Sequence, residues 1–233
     1  MRFLTIAKTA VFATVAGAVA LGLAGPADAA SGTMYGDPVA AAKWWRYQKY
    51  DDCVIMSSAD VVGQITDKEP SEKAIIKVAQ STPSTVHPGS IYVKPADTKN
   101  PNSGMGTSMW DVPTLLEHYG VHAKVTDTDD AAQTGIPTGM EALEQYLGGG
   151  HAVIVSVNAE MIWGQPVEET NSDGSPRSDH AVVVTGVDTA SGIVHLNDSG
   201  NQQGRDEQVP MEIFVKAWDT SHDFLVVTTG IVK

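Results

Sequence analysis

Cys53 is the only cysteine in the 233-residue chain, and Gln48 stands five positions before it in Gln48-Lys49-Tyr50-Asp51-Asp52-Cys53. A lone cysteine can form no internal bridge, and a free thiol outside the cytoplasm invites oxidation, so its retention points to chemistry. The competing role is a small buried apolar side chain. The thiolate is the reactive form, and a base must take its proton. Two of the seven histidines, His151 and His180, open the tripeptide His-Ala-Val. After His180 the chain turns at residues 188–192 and returns through Asn197-Asp198, which offers a third polar group to orient an imidazole; nothing comparable follows His151. The Gln48 amide is of the kind that donates to an oxyanion. Asp51 and Asp52 oppose a thiolate beside them, which makes a cationic partner more necessary.

These groups must be held by elements legible in the pattern. Val54-Ile55-Met56 through Ile65 is apolar on a broad face at helical spacing, with Asp51 and Asp52 placed as N-caps, so Cys53 falls in the first turn of a mostly buried helix, where amides and the macrodipole favour a thiolate. A second helix is expected over 71–80 and a third over 107–119. Between them residues 82–106, rich in proline and glycine, form an irregular excursion. A strand follows at 123–126, and Thr138 with Glu141 fits a capping box for a helix ending near Leu147. Strands are expected at 152–157, 181–187, 193–196 and 224–229, with a short helix from Pro210 to Trp218. A five-residue turn that sets Val187 against Ile193 places Asp198 opposite Val182, on the face that carries His180, and turns Asn197 away. A one-residue bulge would reverse that parity. Helices first and antiparallel strands later give an α+β class.

The first 29 residues have the form of a signal peptide: Arg2 and Lys8, an apolar stretch from Thr9 to Leu23, and Ala27-Asp28-Ala29 as the cleavage site. Residues 30–233 are then one exported domain. Removing Arg2, Lys8 and Asp28 from 15 basic and 28 acidic residues leaves 13 and 27, a net charge of −14. Such a balance, with no cluster of Lys and Arg in the sequence, argues against nucleic acid and against adhesion to a membrane.

Gln48, Asp52-Cys53, His180-Ala181-Val182-Val183-Val184-Thr185-Gly186-Val187-Asp188 and Leu196-Asn197-Asp198 resemble, in order and spacing, the C-thirty-nine-like cysteine peptidases, relatives of the bacteriocin-leader-processing peptidases in the papain-like superfamily. Gly106-Thr107, residues 115–120 and the helix after Pro210 add to the likeness. The resemblance implies a papain-like fold, with an N-terminal helical half whose nucleophile helix packs on a C-terminal antiparallel sheet. It also implies Cys53 as nucleophile, His180 as general base and acid, Asp198 as its orienter and Gln48 as oxyanion donor. The chain departs from the family at Val54, where members usually carry Gly. Cell-wall endopeptidases of the same superfamily follow Asp-Cys with Ser-Gly and set their His much closer.

Asp127, Asp129 and Asp130 lack the glycine that a calcium loop needs, since Ala132 stands there. His118 and His122 have no third ligand, so neither metal nor other cofactor is assigned. The expectation is a secreted or cell-envelope thiol hydrolase acting on a peptide or protein substrate, cell-wall peptides among them. It needs no nucleic acid, and no membrane once the signal is removed. The alternative is a catalytically silent papain-like module that binds a peptide or a cell-surface partner through the same cleft.

Overall fold

The N-terminal half is built around one helix that is buried on every side. In a computed structural model, which describes residues 32–97, 99–100 and 103–232, short strand β1 (Met34–Gly36) and helix α1 (Pro38–Ala41) lead to α2 (Cys53–Thr66). Residues 53–64 of α2 are all buried, as a helix clamped from both sides must be. Val54, Val61 and Val62 pack on the sheet, while Ile55 and Ala59 face α3 (Glu72–Ser81) with Ile75, Ile76, Ile91 and Tyr92. Asp67, in the left-handed region at φ 59°, ends α2 with its amide on the Gly63 carbonyl.

The expected third helix is shorter than its pattern. A 3-10 turn, Met109–Asp111, precedes α4 (Val112–Glu117), whose first turn holds Pro113, where a missing amide costs no helical bond. Buried Asp111 instead pins the preceding excursion, accepting from the Ser84 hydroxyl and from the amide and hydroxyl of Thr85, each at 2.7 Å. After β2 (Ala123–Thr126) and α5 (Ala131–Thr134), α6 (Met140–Gly148) has Gly139 as N-cap at φ 91°. The expected capping box is absent: the Thr138 hydroxyl donates to the Asp223 carbonyl.

The remaining strands are β3 (His151–Val157), β4 (His180–Asp188), β5 (Ile193–Asn197), β6 (Glu207–Pro210) and β7 (Leu225–Ile231), with α7 (Ala159–Ile162) after β3 and α8 (Met211–Asp219) after β6. All pairs are antiparallel in the order β2-β7-β3-β4-β5-β6, and β1 joins the far end of β4. Strand alternation divides the core. Ala152, Ile154, Ala181, Val183 and Val226 face α2, and Val153, Val155, Val182, Val184 and Leu225 face α6 and α8. The fold is thus α+β, with N-terminal helices packed on a C-terminal antiparallel sheet. The small elements β1, α1, α5, α7 and β6 were not anticipated. The proposed signal peptide, residues 1–29, lies outside the described residues.

The hairpin register corrects the expectation in two places. The turn is one residue tighter, with Asp188 opposite Ile193 and Val187 opposite Val194. A bulge between Val184 and Gly186 then moves the ladder back, setting Val183 opposite Asn197. The two shifts cancel, so the parity at the site end is the one expected.

Candidate active site

Cys53 is the first residue of α2 and is 7% exposed. One turn on, the Ser57 hydroxyl donates to the Ala181 carbonyl at 3.1 Å, which fixes the start of α2 against the start of β4. His180 opens β4 and is buried. Its Nε2 lies 2.6 Å from Asp198 Oδ1, which leaves Nδ1 for the thiol. Burial alone would lower the His180 pKa, but the charge and hydrogen bond of Asp198, followed by the hydrogen bond and charge of Cys53, carry it well above the ordinary imidazole value. Burial alone would raise the Asp198 pKa; the His180 charge, with bonds from His180, Trp163 and Gly200, holds it below the ordinary carboxylate value. Each partner therefore favours the charged form of the other, an imidazolium beside a carboxylate.

Asp198 is fully buried and saturated. Oδ1 also accepts from the Gly200 amide at 2.7 Å, Oδ2 accepts from Trp163 Nε1 at 2.8 Å, and its carbonyl accepts from Trp45 Nε1 at 2.5 Å. The Trp163 ring covers His180, with centroids 5.4 Å apart. Gly200 is required by close approach: a Cβ there would lie 2.8 Å from His180 Cε1. Sequence reasoning missed Trp163, Ser199 and Gly200. Only the position of Ser199-Gly200 directly after Asp198 could have drawn attention to them.

Gln48 is bonded along its length to the segment that follows Asp198. Its backbone N–H donates to the Ser199 carbonyl at 2.9 Å, its Oε1 accepts from the Ser199 hydroxyl at 2.7 Å, and its Nε2 donates to the Tyr50 carbonyl at 3.0 Å. Among the described residues nothing accepts the second Nε2 hydrogen, which leaves it for a ligand. Asn197 points away from His180, donating to the Ala41 carbonyl at 3.0 Å and to Asp60 Oδ2 at 2.7 Å. His151 bonds the Gly230 carbonyl at the other end of the sheet. Val54 is buried in the core cluster that contains Cys53, so its bulk is taken up by packing. Among the described residues no three His, Cys, Asp or Glu side chains converge as metal ligands.

The two acidic neighbours of the thiol do not cap α2 with their side chains as expected. Asp51 Oδ2 accepts from the Gly106 amide at 2.8 Å. Asp52 occupies the N-cap position, but its Oδ1 accepts from the Tyr50 amide at 3.3 Å and its Oδ2 is buried without a partner among the described residues. Burial, and then the nearby Glu72 carboxylate, push its pKa up to about 7. In slightly acidic solution Asp52 is therefore neutral, and its opposition to a thiolate is relieved. A carboxyl with a raised folded pKa contributes stability that is present below the unfolded value and lost as pH rises through the folded one. Asp52→Asn should accordingly raise the thermal midpoint at pH 8 by about 3 °C or more and change it little at pH 4. Thermal unfolding of both proteins across that range checks it, and equal midpoints at pH 8 would refute it.

The model of one family, described as the Peptidase_C39 like family, matches residues 46–224, a span that includes Gln48, Cys53, His180 and Asp198. An uncharacterized protein of Mycobacterium bovis and one of Mycobacterium tuberculosis H37Rv are each 75% identical over 228 residues, covering 98% of this chain and 98% of theirs. A crystal structure described as that of a C39-like peptidase from Bacillus anthracis superposes with a TM-score of 0.55 at 18% identity, covering 86% of this chain and 100% of that one, a likeness of fold.

Proposed function

We propose that this chain, which belongs to the Peptidase_C39-like family, is a thiol hydrolase that cleaves a peptide or amide bond with Cys53, His180 and Asp198. The observation that carries this reading is the buried His180–Asp198 pair directed at the one thiol of the chain, at the start of a core helix. In the proposed sequence the Cys53 thiolate attacks the scissile carbonyl and forms a tetrahedral oxyanion. The free Gln48 Nε2 hydrogen and the first-turn amides of α2 stabilise it. The His180 imidazolium protonates the leaving amine, which departs and leaves a thioester. Neutral His180 then takes a proton from water, whose oxygen attacks the thioester; the proton returns to the Cys53 sulfur or stays on the imidazole as the acid is released. Asp198 holds the imidazole in one tautomer and rotation throughout.

Export belongs to the same proposal, with mature protein beginning at Ala30 in the medium or the cell envelope. The test takes protein recovered from that fraction, where N-terminal sequencing should read Ala30, and measures turnover of a quenched fluorescent peptide library against a Cys53→Ala control. Gln48→Ala should lower turnover roughly a hundredfold with the thermal midpoint little changed. Unimpaired turnover would remove Gln48 from the oxyanion site, and a Cys53→Ala protein as active as the native one would end the proposal.

A further inference from the structure

Charge is unevenly divided along this acidic chain. Residues 32–99 carry eight Lys and Arg against eight Asp and Glu, whereas residues 100–233 carry five against nineteen. The fold concentrates the positive share further. A pocket of about 450 Å³ on the N-terminal half is lined by Lys49, Tyr50, Glu72, Lys73, Lys77 and Lys94. Lys73 and Lys77 lie one turn apart on α3, and both are exposed. Lys94 reaches in from the irregular excursion, its Nζ 4.0 Å from the centre of the Tyr50 ring. Glu72 is the one acid on this wall among the described residues, and it is engaged: its Oε1 accepts from the Lys49 amide at 2.7 Å and its Oε2 lies 3.5 Å from Lys49 Nζ. Like charges one helical turn apart destabilise a helix, and four ammonium groups around one concavity repel, a cost that an anion in the pocket would reverse.

We propose that this pocket is a substrate subsite that binds the carboxylates of an acidic peptide segment on one side of the scissile bond. The inference rests on the hydrolase reading for the word substrate, and on the pocket alone for the anion. Lys49 and Tyr50 run directly into Asp51-Asp52-Cys53, so the wall adjoins the nucleophile along the chain. Lysine supplies separate, mobile point charges, which suit several carboxylates spaced along a peptide; phosphate recognition favours the planar arginine fork, and among the described residues no arginine lines this pocket. Among the described residues no exposed large apolar side chain lines it either, so its described wall offers nothing to insert into a bilayer. The acidic remainder of the chain repels a polyanionic peptide elsewhere and leaves this as its landing site.

The experiment uses the full chain carrying Cys53→Ala, which binds without turning over, and fluorescein-labelled hexaglutamate read by anisotropy. Hexaglutamate should bind, weaken tenfold or more in Lys73→Ala/Lys77→Ala, and weaken steeply between about 50 and about 300 mM salt. Lys124→Ala/Lys216→Ala, on other elements, should leave it unchanged, and hexalysine should not bind. Both α3 positions are exposed, so the double variant is expected to keep native circular dichroism. Absence of hexaglutamate binding, equal binding by the Lys73/Lys77 variant, or preferential binding of tripolyphosphate or of phosphatidylglycerol vesicles would each overturn the assignment. Because no bond is cleaved in this assay, failure of the hydrolase reading would show as absent turnover with hexaglutamate still bound.

Discussion

Asp198→Ala is expected to lower turnover by roughly 10³-fold or more, while Asn197→Ala, measured on folded protein, should stay within about tenfold of the native rate. Removing the Asp198 carboxylate frees the His180 imidazole to take the wrong tautomer. It also leaves Trp163 Nε1, the Gly200 amide and His180 Nε2 without their acceptor in a buried site. Asn197→Ala acts elsewhere. It takes a donor from buried Asp60, whose pKa burial already pushes up to about 7, so its cost should appear as a lower thermal midpoint. The penalty of Asp198→Ala on stability has a pH signature. The raised His180 pKa contributes stability that is complete below the unfolded value near 6.5 and is lost as pH rises through the folded one. The lowered Asp198 pKa contributes stability that is complete above the unfolded value of 3.8 and is lost as pH falls through the folded one. The difference between native and variant midpoints should therefore be widest between about pH 4 and pH 6.5. A variant series in which Asn197→Ala abolishes turnover and Asp198→Ala spares it would reverse the assignment.

His180→Ala should slow iodoacetamide alkylation of Cys53 at pH 5.5 by about a hundredfold or more. Thiols without a cationic partner ionise near pH 8.5, so about one in a thousand is a thiolate at that pH. In the native protein the imidazolium persists far above its ordinary range and faces the thiol, with Asp198 holding its charge in place. The alanine variant loses that cation and keeps Asp52, which turns anionic above about pH 7. Mass spectrometry of the alkylated protein against time at several pH values gives the comparison directly, because Cys53 is the one thiol available. Equal rates for native and variant at pH 5.5 would mean that His180 does not govern the thiol, and the silent binding module would become the better account.

The hairpin shows how a conclusion can outlast its premise. Alternation in Val182-Val183-Val184 and the return through Asn197-Asp198 fixed which side chains share a face near the site. The turn geometry assumed to carry that register was wrong. Asp188 closes a tighter turn, its carboxylate accepting from the Ala190 and Ser191 amides, and the bulge at Thr185 restores the ladder. The bulge lies where β1 replaces β3 as the neighbour of β4, and Pro38 and Met34 press on Gly186 there. Periodicity in β4 carries no trace of a partner more than 140 positions away.

The sequence by itself determined the single thiol at the head of an apolar helix, the strands that open and close around His180 and Asp198, and the α+β order, because helical and strand periodicities are local and survive in the one-dimensional pattern. Only the tertiary structure decided which groups surround the charges. Trp45, Trp163 and Gly200 meet on Asp198 through sheet register and loop path, and the side chains of Gln48 and Ser199 meet across 151 positions. Burial beside Glu72 makes Asp52 a weak acid, and α3 with the excursion brings four lysines to one wall that looks unremarkable in a chain of net charge −13. Desolvation and electrostatic fields depend on distances in space, which the spacing of residues along a chain does not contain.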